Sequence, residues 1–121
     1  MGSYVTVTSM LGAEAQQLHA YQEGLFGDPA FDANVPPYSI TLVIPLVGLN
    51  PTTSSTLFFP GSHRDHALAD AVTGTAPDLD LDPGDAILFD SRITHGGMAN
   101  RSAAPRPIVY CTYHRAWYRD V

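Results

Sequence analysis

Two residues near the end of the chain could do chemistry together. His95 lies in Phe89-Asp90-Ser91-Arg92-Ile93-Thr94-His95-Gly96-Gly97, and Arg106 follows eleven residues later in Pro105-Arg106-Pro107-Ile108-Val109. The first stretch puts an imidazole at a strand edge, beside two glycines that let another group approach closely. The second puts a guanidinium on the neighbouring strand. Imidazole suits a transition metal, and a guanidinium fork matches a carboxylate, so the pair points to a metal site that handles an organic acid.

The elements that must hold these groups read as mostly β. Tyr4-Val5-Thr6-Val7-Thr8 alternates with period two and is β-branched, which predicts a strand. Ser39 to Leu46 predicts a second, more central strand limited by Pro45, and Thr56 to Phe59 a short one stopped by Pro60-Gly61. Asp85 to Asp90 follows a Pro83-Gly84 turn, and Pro107 to Tyr113 is the last strong strand. Ala13 to Leu18 has helical propensity, with strand or loop as the alternative because Gly12 and Gly24 bracket a short piece. Arg64 to Val72 reads as a short surface helix, with Ser62 or His63 near its cap. Short strands separated by turn signals predict an all-β jelly roll of antiparallel sheets with few short helices.

Composition narrows the function. The chain has 121 residues, 45% hydrophobic and 15% charged, enough for one domain with a core. All six basic residues are arginines and twelve are acidic, so the net charge of −6 argues against nucleic acid or an anionic membrane as partner. No apolar run reaches the roughly 18 to 20 residues of a membrane span. The single Cys111 permits no internal disulfide and fits a reducing cytoplasm, and its apolar surroundings predict a buried thiol. Asp90 and Arg92 are placed to pair or to line the barrel mouth, and Asp78, Asp80 and Asp82 read as the wet face of an edge strand.

Six phrases occur in order: Gly12-Ala13-Glu14-Ala15-Gln16-Gln17-Leu18-His19, Phe59-Pro60-Gly61-Ser62-His63-Arg64, Pro83-Gly84-Asp85, His95-Gly96-Gly97, Asn100-Arg101-Ser102 and Pro105-Arg106. In this order the chain resembles the phytanoyl-CoA dioxygenase family over about Val5 to Tyr113. The resemblance implies a double-stranded β-helix of the cupin-like type, filling residues 1–121 as a single domain that lacks the family's usual N-terminal helical region. It implies Fe(II) and 2-oxoglutarate as cofactors. His19 matches the first metal histidine and His95 the distal one, while Arg106 matches the arginine that grips 2-oxoglutarate. Ser102 and Thr56 are candidate hydroxyl donors to the same ligand.

The family's metal-binding aspartate position holds Tyr21, in His19-Ala20-Tyr21. Strand residues two apart point to one side, so Tyr21 should project at the metal site with a phenol in place of a carboxylate. The gap could be filled by water or an anion, by Tyr21 itself, or by Glu23. The leading expectation is an Fe(II)/2-oxoglutarate oxygenase hydroxylating a small organic substrate. The alternative is a redox-silent relative that binds a small molecule, or catalyses a non-oxidative cyclisation or isomerisation with Tyr21 as acid or base. An uncovered sheet face would favour a homodimer or a covering partner.

Overall fold

The computed structural model describes residues 3–22, 24–65, 67–68 and 79–119. The strands are β1 (Ser3–Ser9), β2 (Ser39–Pro45), β3 (Thr56–Phe58), β4 (Ile87–Asp90), β5 (His95–Gly97) and β6 (Arg106–His114), with one short helix, α1 (Pro29–Asp32). A four-stranded antiparallel sheet runs β1-β6-β2-β4, and β3 pairs with β5 in a smaller sheet. The all-β jelly-roll expectation therefore holds. Five strands fall where alternation placed them, with β4 beginning only at Ile87, while β5 was not read as a strand; the edge strand expected through Asp80 and Asp82 is reduced to isolated bridges at Leu81 and Pro83.

The segment left open around Ala13 to Leu18 is extended and runs alongside β5, joined to it by an isolated bridge between His19 and His95. Gln16 N donates to Gly97 O at 2.8 Å, and His19 and His95 exchange both backbone bonds at 2.8 Å. Three steps along this segment thus oppose two along β5, so one extra residue bulges out between Gln16 and His19. That bulge explains how Gln16 and His19, of opposite parity, both face inward. Tyr21 N then donates to Ser91 O at 3.0 Å, which carries the strand past His95.

Register sets what each face presents. Inward residues of the large sheet are Arg106, Ile108 and Tyr110 on β6, Thr41 and Val43 on β2, and Phe89 on β4. Opposite them stand Phe58 paired with His95 and Thr56 paired with Gly97. Val43, Phe58, Phe89 and Ile108 form the core cluster, and the Phe58 and Phe89 rings meet edge-on at 4.8 Å. Burial of such side chains stabilises by about 1.5–3 kcal/mol each.

The outward face of the large sheet is apolar. Ile40, Leu42 and Ile44 on β2 lie beside Tyr113, Cys111 and Val109 on β6, with Tyr4 and Leu88 flanking them. Tyr4 is 82% and Leu88 65% exposed. Cys111 belongs to this outer face and is only half-buried, which corrects the expectation of a buried thiol. Alternation fixed its parity, but a central strand is apolar on both sides and parity alone did not say which side is the core.

One ion pair is present among the described residues. Arg92, 3% exposed, bonds Asp90 at 2.8 and 3.0 Å, donates to the carbonyls of Asp32 and Val35, and lies over the Tyr38 ring. It ties the loop carrying α1 to the turn after β4. Gly24 closes the same loop, since a Cβ there would stand 2.2 Å from an Asp32 carboxylate oxygen. The expected cap at Ser62 or His63 is not formed by Ser62, whose hydroxyl accepts from Thr94 N at 2.8 Å; Asp65 instead caps Ala67 N. Most of the helix expected over 64–72, and His66, Asp78 and Glu23, lie outside the described residues. No described helix is long and apolar enough to cross a membrane.

Candidate active site

His19 and His95 converge. Their ring centroids are 4.6 Å apart, and Tyr21 packs 4.6 Å from His95 and 5.5 Å from His19. Each imidazole is oriented in the same way. His95 Nδ1 lies 2.8 Å from Ile93 O, and His19 Nδ1 lies 2.8 Å from Gln17 O. A carbonyl only accepts, so Nδ1 carries a proton in both rings and Nε2 is the ring nitrogen that no carbonyl engages. This is the outer-shell arrangement that fixes a metal-binding tautomer. His95 Nε2 is buried with no hydrogen-bond partner.

Burial pulls the His95 pKa down to about 4, helped by the neighbouring His19 and opposed by the Ile93 carbonyl. The ring is therefore neutral at pH 7, as a ligand must be. Tyr21 behaves oppositely to a ready anion: burial, then the adjacent Tyr110 hydroxyl, push its phenol well above the ordinary tyrosine value. The two tyrosine rings meet edge-on at 5.9 Å.

Tyr110 also walls a cavity of about 290 Å³ on the other side, lined with Arg106, Thr56, Gly97, Gln16, Glu14 and Ile108 among others. Arg106 is 6% exposed, and loss of solvent lowers its pKa somewhat from the usual guanidinium value. It is held by carbonyls: Nη1 donates to Thr53 and Ser54, and Nη2 to Met98. Of its five donors, Nε–H and one Nη2–H are left without an acceptor among the described residues. No described carboxylate is in ion-pair range. A buried cation with two free donors, beside a cavity, has the chemistry to receive a carboxylate.

The sequence-derived residues thus separate into three groups. His19, His95 and Tyr21 form one cluster, and Arg106 with Thr56 lines the adjoining cavity. Ser102 stands apart: its hydroxyl bonds Asn100 Oδ1 and Ala104 O within the turn before β6, and it does not line the Arg106 cavity. Tyr110 and Gln16 went unnoticed in the sequence. Tyr110 was findable, being on the same parity as Arg106 and Ile108; Gln16 was hidden by the bulge.

The residues fit a divalent metal and a 2-oxo dicarboxylic acid in part. Two imidazoles whose Nδ1 atoms are each taken by a carbonyl suit the metal, and Arg106 with its cavity suits the acid. No group of three or more His, Cys, Asp or Glu is assembled among the described residues, because Tyr21 stands where the third ligand would be.

Comparison with known proteins bears on the fold and the family. AviO1 from Streptomyces viridochromogenes superposes over 99% of this chain and 53% of its own, at a TM-score of 0.76 and 23% identity. HygX from Streptomyces hygroscopicus, solved with nickel, 2-oxoglutarate and hygromycin B, superposes over 95% of this chain and 55% of its own, at 0.69 and 17%. These likenesses show the fold class, a jelly roll of antiparallel sheets. "Dioxygenase trt7" of Aspergillus terreus is 35% identical over 95 residues, 77% of this chain and 33% of that protein. The phytanoyl-CoA dioxygenase model matches residues 3–108, and the chain belongs to that family. It spans a third of the curated relative and about half of these two solved structures.

Proposed function

We propose that the chain is an Fe(II)/2-oxoglutarate-dependent oxygenase domain that hydroxylates a small organic substrate. The observation that carries this is the pair of imidazoles, each with Nδ1 committed to a carbonyl and Nε2 free, next to a buried arginine with unused donors. His19 and His95 would hold the metal, and Arg106 with Thr56 would hold the distal carboxylate of 2-oxoglutarate. When bound, the metal and the 2-oxo acid supply an oxidation of a substrate C–H by O₂, with succinate and CO₂ released.

The protein's own work is placement. The carbonyls of Gln17 and Ile93 fix the two rings before any ligand arrives, so little ordering entropy remains to be lost on binding. Phe58 stacks 5.8 Å from His95 and Phe89 sits at 5.1 Å, keeping water from the inner side of the site. Tyr21 stays protonated at neutral pH and presents its ring to the two imidazoles, so it brings no negative charge to the metal position. A neutral set holds Fe(II) less firmly than one with a carboxylate.

Tyr21 also favours a second reading, a redox-silent relative whose pocket binds or isomerises a small molecule. A phenol with a raised pKa serves there as a hydrogen-bond donor rather than a base at neutral pH. Anaerobic loading with Fe(II) followed by 2-oxoglutarate and O₂ separates the two. The oxygenase reading requires succinate release that disappears in His95→Ala. Absence of succinate with metal bound overturns it, and in that case Tyr21→Phe should abolish turnover in a folded protein.

A further inference from the structure

β1 is an open edge of the large sheet. β6 pairs with one side of it, and no strand among the described residues pairs with the other. An edge strand leaves a row of backbone N–H and C=O groups unpaired, and proteins normally blunt it with charge, proline or a bulge. β1 has none of these. Its sequence, Ser3-Tyr4-Val5-Thr6-Val7-Thr8-Ser9, carries no charge and no proline, in a chain whose net charge is −6. Its register with β6 is one-to-one from Ser3 opposite Thr112 to Ser9 opposite Arg106, so no bulge twists the edge away. Residues on both of its faces are exposed, Tyr4 outward and Val5 and Val7 inward.

The strand also reads the same in both directions about Thr6, apart from Tyr4 set against Thr8. We propose that β1 pairs antiparallel with β1 of a second copy, about a two-fold axis at Thr6, and joins two large sheets into one. A two-fold contact sets one surface against itself, so that surface must be self-complementary. Centring on Thr6 meets this demand residue by residue. Ser3 meets the partner's Ser9, Tyr4 the partner's Thr8, Val5 the partner's Val7, and Thr6 its own copy. Only this register pairs the whole strand, and no like charges meet in it. Directly opposed residues share a face, and Val5 and Val7 lie opposite Tyr110 and Ile108 on the inward side. Pairing therefore gathers the valines of both copies there and covers apolar surface that is now exposed. Val7 also lines the cavity beside Arg106, so the partner's Val5 extends that wall. One strand edge buries less than the roughly 1,000 Å² that a lasting interface needs, so the contact forms at high protein concentration. It leaves the outward apolar residues of β2 and β4 free to act on their own.

Disulfide trapping reads this register directly. In a Cys111→Ser background, which removes the one native thiol, Val5→Cys and Val7→Cys are oxidised separately and as an equal mixture. Val5 and the partner's Val7 would be directly opposed and within disulfide reach, whereas Val5 and the partner's Val5 would be diagonal neighbours at about 7–8 Å, too far to bridge. Both positions face inward, so packing through the outer sheet face cannot bring them together. The proposal expects the mixture to give a covalent dimer in several-fold higher yield than either variant alone. Adding Thr6→Lys to both chains sets like charges on the axis and should abolish trapping, with far-UV circular dichroism unchanged. No dimer from the mixture, or equal yields from the mixture and the separate variants, overturns the pairing. A yield that Thr6→Lys leaves unaltered overturns it too, because the contact then lies elsewhere.

Discussion

The depressed pKa of His95 makes stability of the metal-free protein depend on pH in a calculable way. His95 is 1% exposed, and burial lowers its pKa from 6.5 to about 4. Between those values the unfolded chain binds a proton that the folded chain refuses, so stability is complete above pH 6.5 and falls as pH drops toward 4. One pKa unit corresponds to about 1.4 kcal/mol, so the whole effect is about 3 kcal/mol, of which about 2 kcal/mol is lost by pH 5. Urea unfolding of the metal-free protein at pH 7.5 and pH 5 measures it, with His95→Phe as the comparison because a phenyl ring keeps the packing on Phe58 and Phe89. Burial also lowers the pKa of His63, which adds a slope of the same sign, but both proteins share it and it cancels in the difference. The pH-dependent loss should be smaller in His95→Phe by about 2 kcal/mol. Equal losses in the two proteins would refute the claim that a neutral, buried imidazole is built into this position.

Arg92→Leu leaves the Asp90 carboxylate half-enclosed without its partner and cuts the loop carrying α1 from the turn after β4; chemical denaturation should show a loss of about 3–5 kcal/mol. Asp90 itself feels burial pushing its pKa up, outweighed by the Arg92 bonds that pull it down, so the pair's contribution is present above the ordinary carboxylate range and fades as acid protonates Asp90. Tyr21→Asp restores an anionic third ligand, and equilibrium dialysis should show Fe(II) affinity rising by at least about tenfold; an unchanged affinity would mean the residue does not face the metal. The uncovered face around Leu42, Leu88 and Tyr113 is expected to hold two copies together, so light scattering should report a dimer that Leu88→Asp converts to monomer.

Most of the strand plan was legible because period-two alternation and turn residues are local. Ser39 to Pro45 and Arg106 to His114 show it directly, and Arg106, Ile108 and Tyr110 then share a face by parity alone. The Arg92–Asp90 pair was visible as two charges two residues apart near a strand end. The histidine pair was legible only through resemblance, because the contact between His19 and His95 spans most of the chain. The strand carrying His19 was ambiguous for a physical reason: its bulge breaks the alternation that would have marked it. The same bulge hid Gln16, whose inward orientation contradicts strict parity with His19. Ser102 looked like a ligand-facing hydroxyl, yet its bonds to Asn100 and Ala104 serve a turn, which nothing in its sequence neighbourhood distinguishes from a binding role.

The central claim is that His19 and His95 hold one metal ion between them. Anaerobic equilibrium dialysis with Fe(II) on wild type, His19→Ala and His95→Ala tests it most directly. The account predicts one ion per chain in wild type and loss of binding in either variant. Failure of wild type to bind, or binding that survives both substitutions, would contradict it.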